Sequence, residues 1–200
     1  MKIAMITLGC PKNVVDSEVL RAWLTNERLE FVAEANQADV IIINTCAFIL
    51  PAREEAIDTI LEAVTLKKAG KAQQVFVVGC LPQISAEELT REIPEVDAFF
   101  PHKDFDFIGK QIVRMLNLNA AVKLQHRVLE TPNHYAYLKI SDGCDNRCHY
   151  CTIPQIKGRH RSRRLSDLID EARELADNGC LLYTSPSPRD LSTYRMPSSA

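Results

Sequence analysis

No stretch of this sequence is apolar for the length that a bilayer crossing needs, so a membrane-spanning chain is not expected. Net charge is also scarce. The 24 basic side chains nearly cancel the 26 acidic ones and leave −2, a total that demands neither a nucleic acid nor a lipid surface as partner. The N-terminus, Met1 to Ile6, lacks the long apolar run and small-residue cleavage site of a secretory signal and opens like a first strand. A cytoplasmic location is the expectation. In that reducing compartment the seven cysteines are poor disulfide candidates. Metal binding or catalysis is the stronger reading, set against the alternative of inert buried thiols.

What is present is enough apolar material for a core, 46% of the 200 residues, arranged as alternating strand and helix signals. Residues 3–8 form a short apolar run ending at Gly9, followed by a helical pattern through Val15, Val19, Ala22 and Trp23. Residues 40–43 are β-branched and uniformly apolar, as in a parallel strand buried on both faces. Ile57, Ile60, Leu61 and Val64 recur at helical spacing, behind Pro51, Glu54 and Glu55, which suit a helix N-terminus. Residues 75–78 predict a third strand, 85–93 a helix and 96–100 a fourth strand. Asp104 is placed to cap a helix carrying Ile108, Ile112, Met115 and Leu116. The fold class is therefore α/β, a parallel sheet with helices on both faces.

The rhythm breaks near residue 119. The division predicted is an N-terminal domain over 1–118, a linker over 119–133, and the start of a second β/α domain over 134–180. A strand is expected at 135–140, and a helix at 166–178 with Ser166 as cap and Gly179 as terminator. Residues 181–200 carry Pro186, Pro188 and Pro197, are rich in serine and show no periodicity. They read as a non-native or disordered tail. The run from Leu181 to Asp190 resembles translated sequencing-adaptor sequence, which would end the native chain near Cys180.

Two cysteine constellations carry the chemistry. Cys144, Cys148 and Cys151 follow a C-x3-C-x2-C spacing on one short segment. Three thiolates so spaced can hold three irons of a [4Fe–4S] cluster and leave the fourth iron open. The alternative is zinc, with His149 or His160 as a fourth ligand, although zinc sites more often use paired C-x2-C units that are missing here. Cys10, Cys46 and Cys80 each stand just after one of the first three predicted strands. In an open parallel sheet the carboxyl ends of strands form the binding edge, so these three can converge although far apart in sequence. Cys180 has no such placement and reads as structural or incidental. The basic run 157–164 is read either as a solvated loop or as a contact for a carboxylate or for an RNA or ribosomal surface.

Taken together, Leu8-Gly9-Cys10-Pro11-Lys12-Asn13, Val15-Asp16-Ser17-Glu18, Asn44-Thr45-Cys46, Gly79-Cys80-Leu81 and Gly143 to Cys151 resemble the radical S-adenosylmethionine (SAM) methylthiotransferase family. The residues after Cys10 and Cys46, and 93–97, are similar to the branch that modifies an aspartate of a ribosomal protein. The resemblance implies two [4Fe–4S] clusters and SAM as cofactors. Cys144, Cys148 and Cys151 would hold the cluster that chelates and cleaves SAM to a 5′-deoxyadenosyl radical. Cys10, Cys46 and Cys80 would hold an auxiliary cluster that carries the incoming sulfur. Tyr150 would pack near the SAM adenine, with plain packing as its alternative role. The implied target is the β-carbon of an aspartate in small-subunit ribosomal protein twelve. A modified adenosine in tRNA is the alternative target, and an iron–sulfur-binding fragment without turnover is the alternative from another class. An electron donor such as flavodoxin or ferredoxin is the further implied partner. The family continues into the rest of a partial barrel and a C-terminal β-barrel, so these 200 residues alone are expected to be inactive.

Overall fold

The computed structural model describes residues 1–25, 29–101, 103–118 and 127–184. Its first hundred residues build strand β1 (Lys2–Thr7), helix α1 (Pro11–Leu24), β2 (Glu30–Val32), β3 (Val40–Thr45), α2 (Leu50–Lys68), β4 (Gln74–Gly79), α3 (Cys80–Glu92) and β5 (Ala98–Phe99). Helix α4 (Phe105–Met115) follows. The five strands are all parallel, in the order β2-β1-β3-β4-β5. Every residue of β3 is buried, which is why the uniformly apolar run at 40–43 signals a central strand rather than an alternating one.

Alternate residues of the strands feed two cores. Ile41, Ile43, Val75 and Val77 pack with Ala56, Ile60, Ala63 and Val64 of α2 and Leu81 and Leu89 of α3. Val40, Ile42, Phe76 and Val78 pack with Leu20 and Leu24 of α1 and Ile108, Ile112 and Val113 of α4. Helices therefore cover both faces, as the alternating signals predict.

Local differences from the sequence reading have local causes. The buried stripe of α2 runs through Ala56, Ile60, Ala63 and Val64, while Ile57 and Leu61 face outward. The two alanines let the helix lie close on the sheet, so small residues win the inner face over larger ones. Helix α3 begins at Cys80, directly after β4, and kinks at Ser85 (φ −139°, ψ 20°), the residue where the sequence predicts its start. The edge strand β2 is too short to give a periodic signal. Asp104 caps α4 as expected, accepting from the backbone N–H groups of Asp106 and Phe107.

The second region is smaller. Strand β6 (Tyr135–Tyr137) leads to β7 (Ser141–Asp142), the cysteine loop, the one-turn helix α5 (Ile153–Ile156), β8 (Arg161–Ser162) and α6 (Leu165–Asp177). β7 and β8 pair antiparallel and clamp the base of the loop. Helix α6 starts behind Arg164 without a side-chain cap, so Ser166 lies inside the first turn and does not play the capping role expected of it. Gly179 terminates the helix at φ +89°, where the left-handed backbone turns the chain. Strand β9 (Leu182–Thr184) then pairs parallel with β6. This short strand lies just beyond the boundary expected at 180. A β/α unit returns its chain beside the first strand, and Leu-Tyr-Thr has the β-branched and aromatic character to pair there. The rest of the expected tail, 185–200, and most of the expected linker, 119–126, lie outside the described residues. Among the described residues no helix is long and apolar enough to cross a membrane.

Candidate metal centre

Sheet order 2-1-3-4-5 reverses direction between β1 and β3, and an open α/β sheet offers its crevice at the carboxyl ends of the strands flanking that reversal. Cys10 follows β1 and Cys46 follows β3, on the two sides of it; Cys80 follows β4. The loop after β1 approaches Cys46 closely. A Cβ on Gly9 would lie 2.5 Å from the Cys46 Cβ and 2.8 Å from its Sγ, and Gly9 sits at φ +91°. Only glycine allows both the approach and the backbone.

Two buried amides tie these loop ends together. Asn13 Nδ2 donates to the carbonyls of Leu8 (2.8 Å) and Thr45 (3.0 Å), and the Cys80 thiol lies 3.8 Å from Asn13 Oδ1. Asn44 Nδ2 donates to the Asn13 carbonyl (2.8 Å) and to Ser17 Oγ (2.9 Å). Thr45 Oγ1 donates to the Val78 carbonyl and accepts from the Leu81 N–H. Asn13 and Asn44 are fully buried, so each lost bond would strand a desolvated partner. All three cysteines are free thiols. Burial is the main cause that pushes the Cys80 thiol up to about 12, against the opposing charge of Lys157, and burial also raises Cys46. Such thiols stay protonated until a metal displaces their protons.

The second set lies on an open loop. Cys144 and Cys151 are half-buried and Cys148 is exposed. Gly143, at φ +74°, packs against the carbonyl of Arg159, and the Cys144 N–H donates to the Gly158 carbonyl at 3.0 Å. The Cys151 N–H donates to the Cys148 carbonyl, and the His160 N–H to Asp145 Oδ1. Tyr150 is 89% exposed. His149 and His160 are exposed as well. Among the described residues no three His, Cys, Asp or Glu side chains converge on a point as they would around a single metal ion.

The two sets are joined by an ionic network that the sequence reading missed. Asp16 of α1 pairs with Lys139 (2.6 Å) and Lys157 (3.1 Å). Asp142, just before the loop, pairs with Lys139 (3.0 Å), Lys12 (3.4 Å) and Lys157 (3.9 Å). Burial works against charge on both Lys139 and Lys157, but the aspartates outweigh it and hold both ammonium groups above the usual lysine range. Burial likewise opposes ionisation of Asp142, and Lys139 and Lys157 overcome it, bringing its pKa down to about 2. Lys157 is thus no member of a solvated basic run. Of that run Arg159, His160, Arg161 and Arg164 face solvent, while Arg163 pairs with Glu171 of α6.

A second ionic string also begins on α1. Glu18 accepts from Arg127 Nη1 (2.9 Å) and from the Glu130 N–H (3.0 Å). Arg127 Nε stands 3.0 Å from Glu171 Oε1, an ion pair without hydrogen-bond alignment, and Arg127 Nη2 finds no acceptor among the described residues. Burial raises the Glu18 pKa although Arg127 opposes the shift. The signal that could have exposed both strings was the polar set Asn13, Asp16, Ser17 and Glu18 within α1, all buried.

The family model described as uncharacterized protein family UPF0004 matches residues 2–101. Among curated relatives, the ribosomal protein uS12 methylthiotransferase RimO of Heliobacterium modesticaldum is 44% identical over 90% of this chain and 41% of its own length. Those of Sulfurihydrogenibium sp. and Aquifex aeolicus are 48% and 46% identical over 90% of this chain and 40% and 39% of theirs. The chain spans about two fifths of the length of the relatives it matches. A solved structure of the cobalamin-dependent SAM radical enzyme OxsB, with aqua-cobalamin bound, superposes with a TM-score of 0.51 at 16% identity, covering 89% of this chain and 32% of that one. At that identity the likeness is one of fold.

Proposed function

The chain belongs to the UPF0004 family, and on that premise we propose that it is the N-terminal part of a radical SAM methylthiotransferase acting on ribosomal protein uS12 in the cytoplasm. One observation carries the reading: two sets of three free cysteines, one at the sheet edge and one on the 144–151 loop, are tied to each other through Asp16, Asp142 and their lysines. Zinc wants four ligands around one point. Neither set offers that, whereas the thiolates of a [4Fe–4S] cluster each take a different iron and enclose a volume. The relatives' shared name supplies uS12 as the substrate, and the aspartate β-carbon follows from the motif resemblance.

In this reading Cys144, Cys148 and Cys151 hold one cluster and Cys10, Cys46 and Cys80 the other. When bound, the clusters supply the electron that cleaves SAM and the position from which sulfur is delivered. The chain's own residues do the positioning. Gly143 reverses the backbone so that the Cys144 N–H closes on Gly158. The β7–β8 hairpin fixes the loop's base, and Asp16 and Asp142 draw that base toward α1 and Cys10. Tyr150, exposed on the loop, is free to meet the SAM adenine. A flavodoxin- or ferredoxin-type donor supplies electrons. Exposed Arg159, Arg161 and Arg164 beside the loop favour the tRNA alternative as the second reading, since they suit a phosphate backbone.

Anaerobic loading with iron and sulfide, followed by metal analysis, tests the site. Two clusters are expected, and stoichiometric zinc without iron uptake would overturn both assignments. For the substrate, residues 1–180 are grafted onto the remainder of the Heliobacterium relative and incubated with SAM, reductant and either uS12 or tRNA. A methylthio mass shift on uS12 is expected; one on tRNA alone would move the chain to the second reading.

A further inference from the structure

Lys157 is separated from Cys80 by 77 positions, yet the fold brings them together from two directions. Ile156, its neighbour, is buried in the same apolar cluster as Cys80 and Leu81, so the end of α5 is anchored over the start of α3. From α1, Asp16 reaches across to hold the Lys157 ammonium at 3.1 Å. The side chain is only 13% exposed, so its charge acts through protein rather than through screening water. Lys12, Lys139 and Lys157 meet Asp16 and Asp142, which leaves the network one surplus positive charge. Cys46 and Cys80 both lie within its electrostatic reach. Two of the three thiols, Cys46 and Cys80, are buried, so a nearby fixed charge acts on them with little screening.

We propose that Lys157 is a positioning residue that acts across the domain junction, its ammonium setting the reduction potential of the cluster held by Cys10, Cys46 and Cys80. The inference rests on the cluster assignment made under Proposed function. A cation beside a cluster favours the state with one more electron, so the potential of the N-terminal site is raised when the segment bearing Lys157 is docked. The N-terminal site therefore reports on the docking of the second region, although none of its ligands comes from there.

The test uses the intact chain carrying Cys144→Ala, Cys148→Ala and Cys151→Ala, so that only the N-terminal set loads. Iron content is measured, and the cluster is then titrated anaerobically with dithionite and followed by visible absorbance. Lys157→Met and Lys157→Gln are each expected to move the midpoint to more negative potential by a similar amount, while Lys157→Arg stays near the parent. An unchanged midpoint in the neutral variants at full iron content overturns the proposal and leaves the cluster assignment standing. Neutral variants that fail to load iron where Lys157→Arg succeeds also overturn it, because charge would then govern assembly rather than potential. A parent that holds no iron at all removes the cluster assignment itself, and this inference with it.

Discussion

Cys10, Cys46 and Cys80 lie far apart in sequence and come together because three parallel strands end side by side, whereas Cys144, Cys148 and Cys151 fit within a single loop. The first set is held by the core of the protein. Its loops are cross-tied by Asn13, Asn44 and Thr45, and two of its thiols are buried. The second set is held by a hairpin of two residues per strand and by a few backbone bonds, with Cys148 and Tyr150 in solvent. A set of ligands can therefore be specified globally, by where strands end, or locally, by spacing on a loop. On the proposed assignment, the global kind would be stiff before any metal arrived, and the local kind would take its final shape with the metal.

The largest expected effect comes from removing each set in turn. Replacing Cys144, Cys148 and Cys151 with alanine should lower reconstituted iron from about eight to about four atoms per chain and leave the urea midpoint of the metal-free protein unchanged. Replacing Cys10, Cys46 and Cys80 should cost the other half of the iron. It should also lower that midpoint, because Cys80 belongs to the core cluster around α2 and α3. Equal midpoints for the two triple variants would erase the distinction between a set built into the core and one built onto a loop.

A smaller effect is expected where the two regions meet. Arg127→Met leaves the buried Glu18 carboxylate without a cation and Glu171 with Arg163 alone, at a cost of about 3–5 kcal/mol. Unfolding in urea should then split, with the second region releasing before the sheet. The sign of the pH dependence follows from Glu18, whose folded-state pKa is already raised above its ordinary 4.5 by burial. A carboxyl that holds its proton more tightly when folded favours the folded state at low pH and loses that advantage as pH rises through the window above 4.5. Removing Arg127 widens the window upward, so the variant should be least impaired near the acid end. Addition of Glu18→Gln should return part of the loss, and no return would point to Glu171 as the group that suffers.

The same contrast explains what was legible in the sequence. The central strands were, because burial on both faces writes a continuous apolar run, and with them the strand-end cysteines. The placement of Cys144, Cys148 and Cys151 on one loop was, because their spacing is local. The Asp16 network was not. Its partners lie at Lys139 and Lys157, 123 and 141 positions away, and a single aspartate in a helix looks like any surface acid. What sets it apart is company: Asn13, Ser17 and Glu18 share its burial, and helical spacing places them where an apolar face should be. The outward turn of Ile57 and Leu61 was illegible for the opposite reason, since periodicity marks a stripe but not which edge of it touches the sheet.

The finest separation between the two sets comes from three glycines of positive φ. Gly9, Gly70 and Gly143 stand at +91°, +72° and +74°, so alanine at each carries a similar backbone strain of about 1 kcal/mol or somewhat more. What differs is the space. Around Gly70 a Cβ meets nothing within 4 Å, so Gly70→Ala measures the backbone cost alone. At Gly9 the new methyl strikes Cys46 in a core that cannot yield, and at Gly143 it strikes the carbonyl of Arg159, on a loop that can shift. Gly9→Ala should therefore lower both stability and iron at the N-terminal site, leaving the loop site loaded. Gly143→Ala should match Gly70→Ala in urea, yet load the loop site less completely, because the displaced carbonyl neighbours the Gly158 carbonyl that receives the Cys144 N–H. Urea midpoints and iron content measured on the three variants together decide it. If Gly9→Ala costs no more than Gly70→Ala, the loop after β1 is free to move away from Cys46, and the N-terminal set is less rigid than its burial implies.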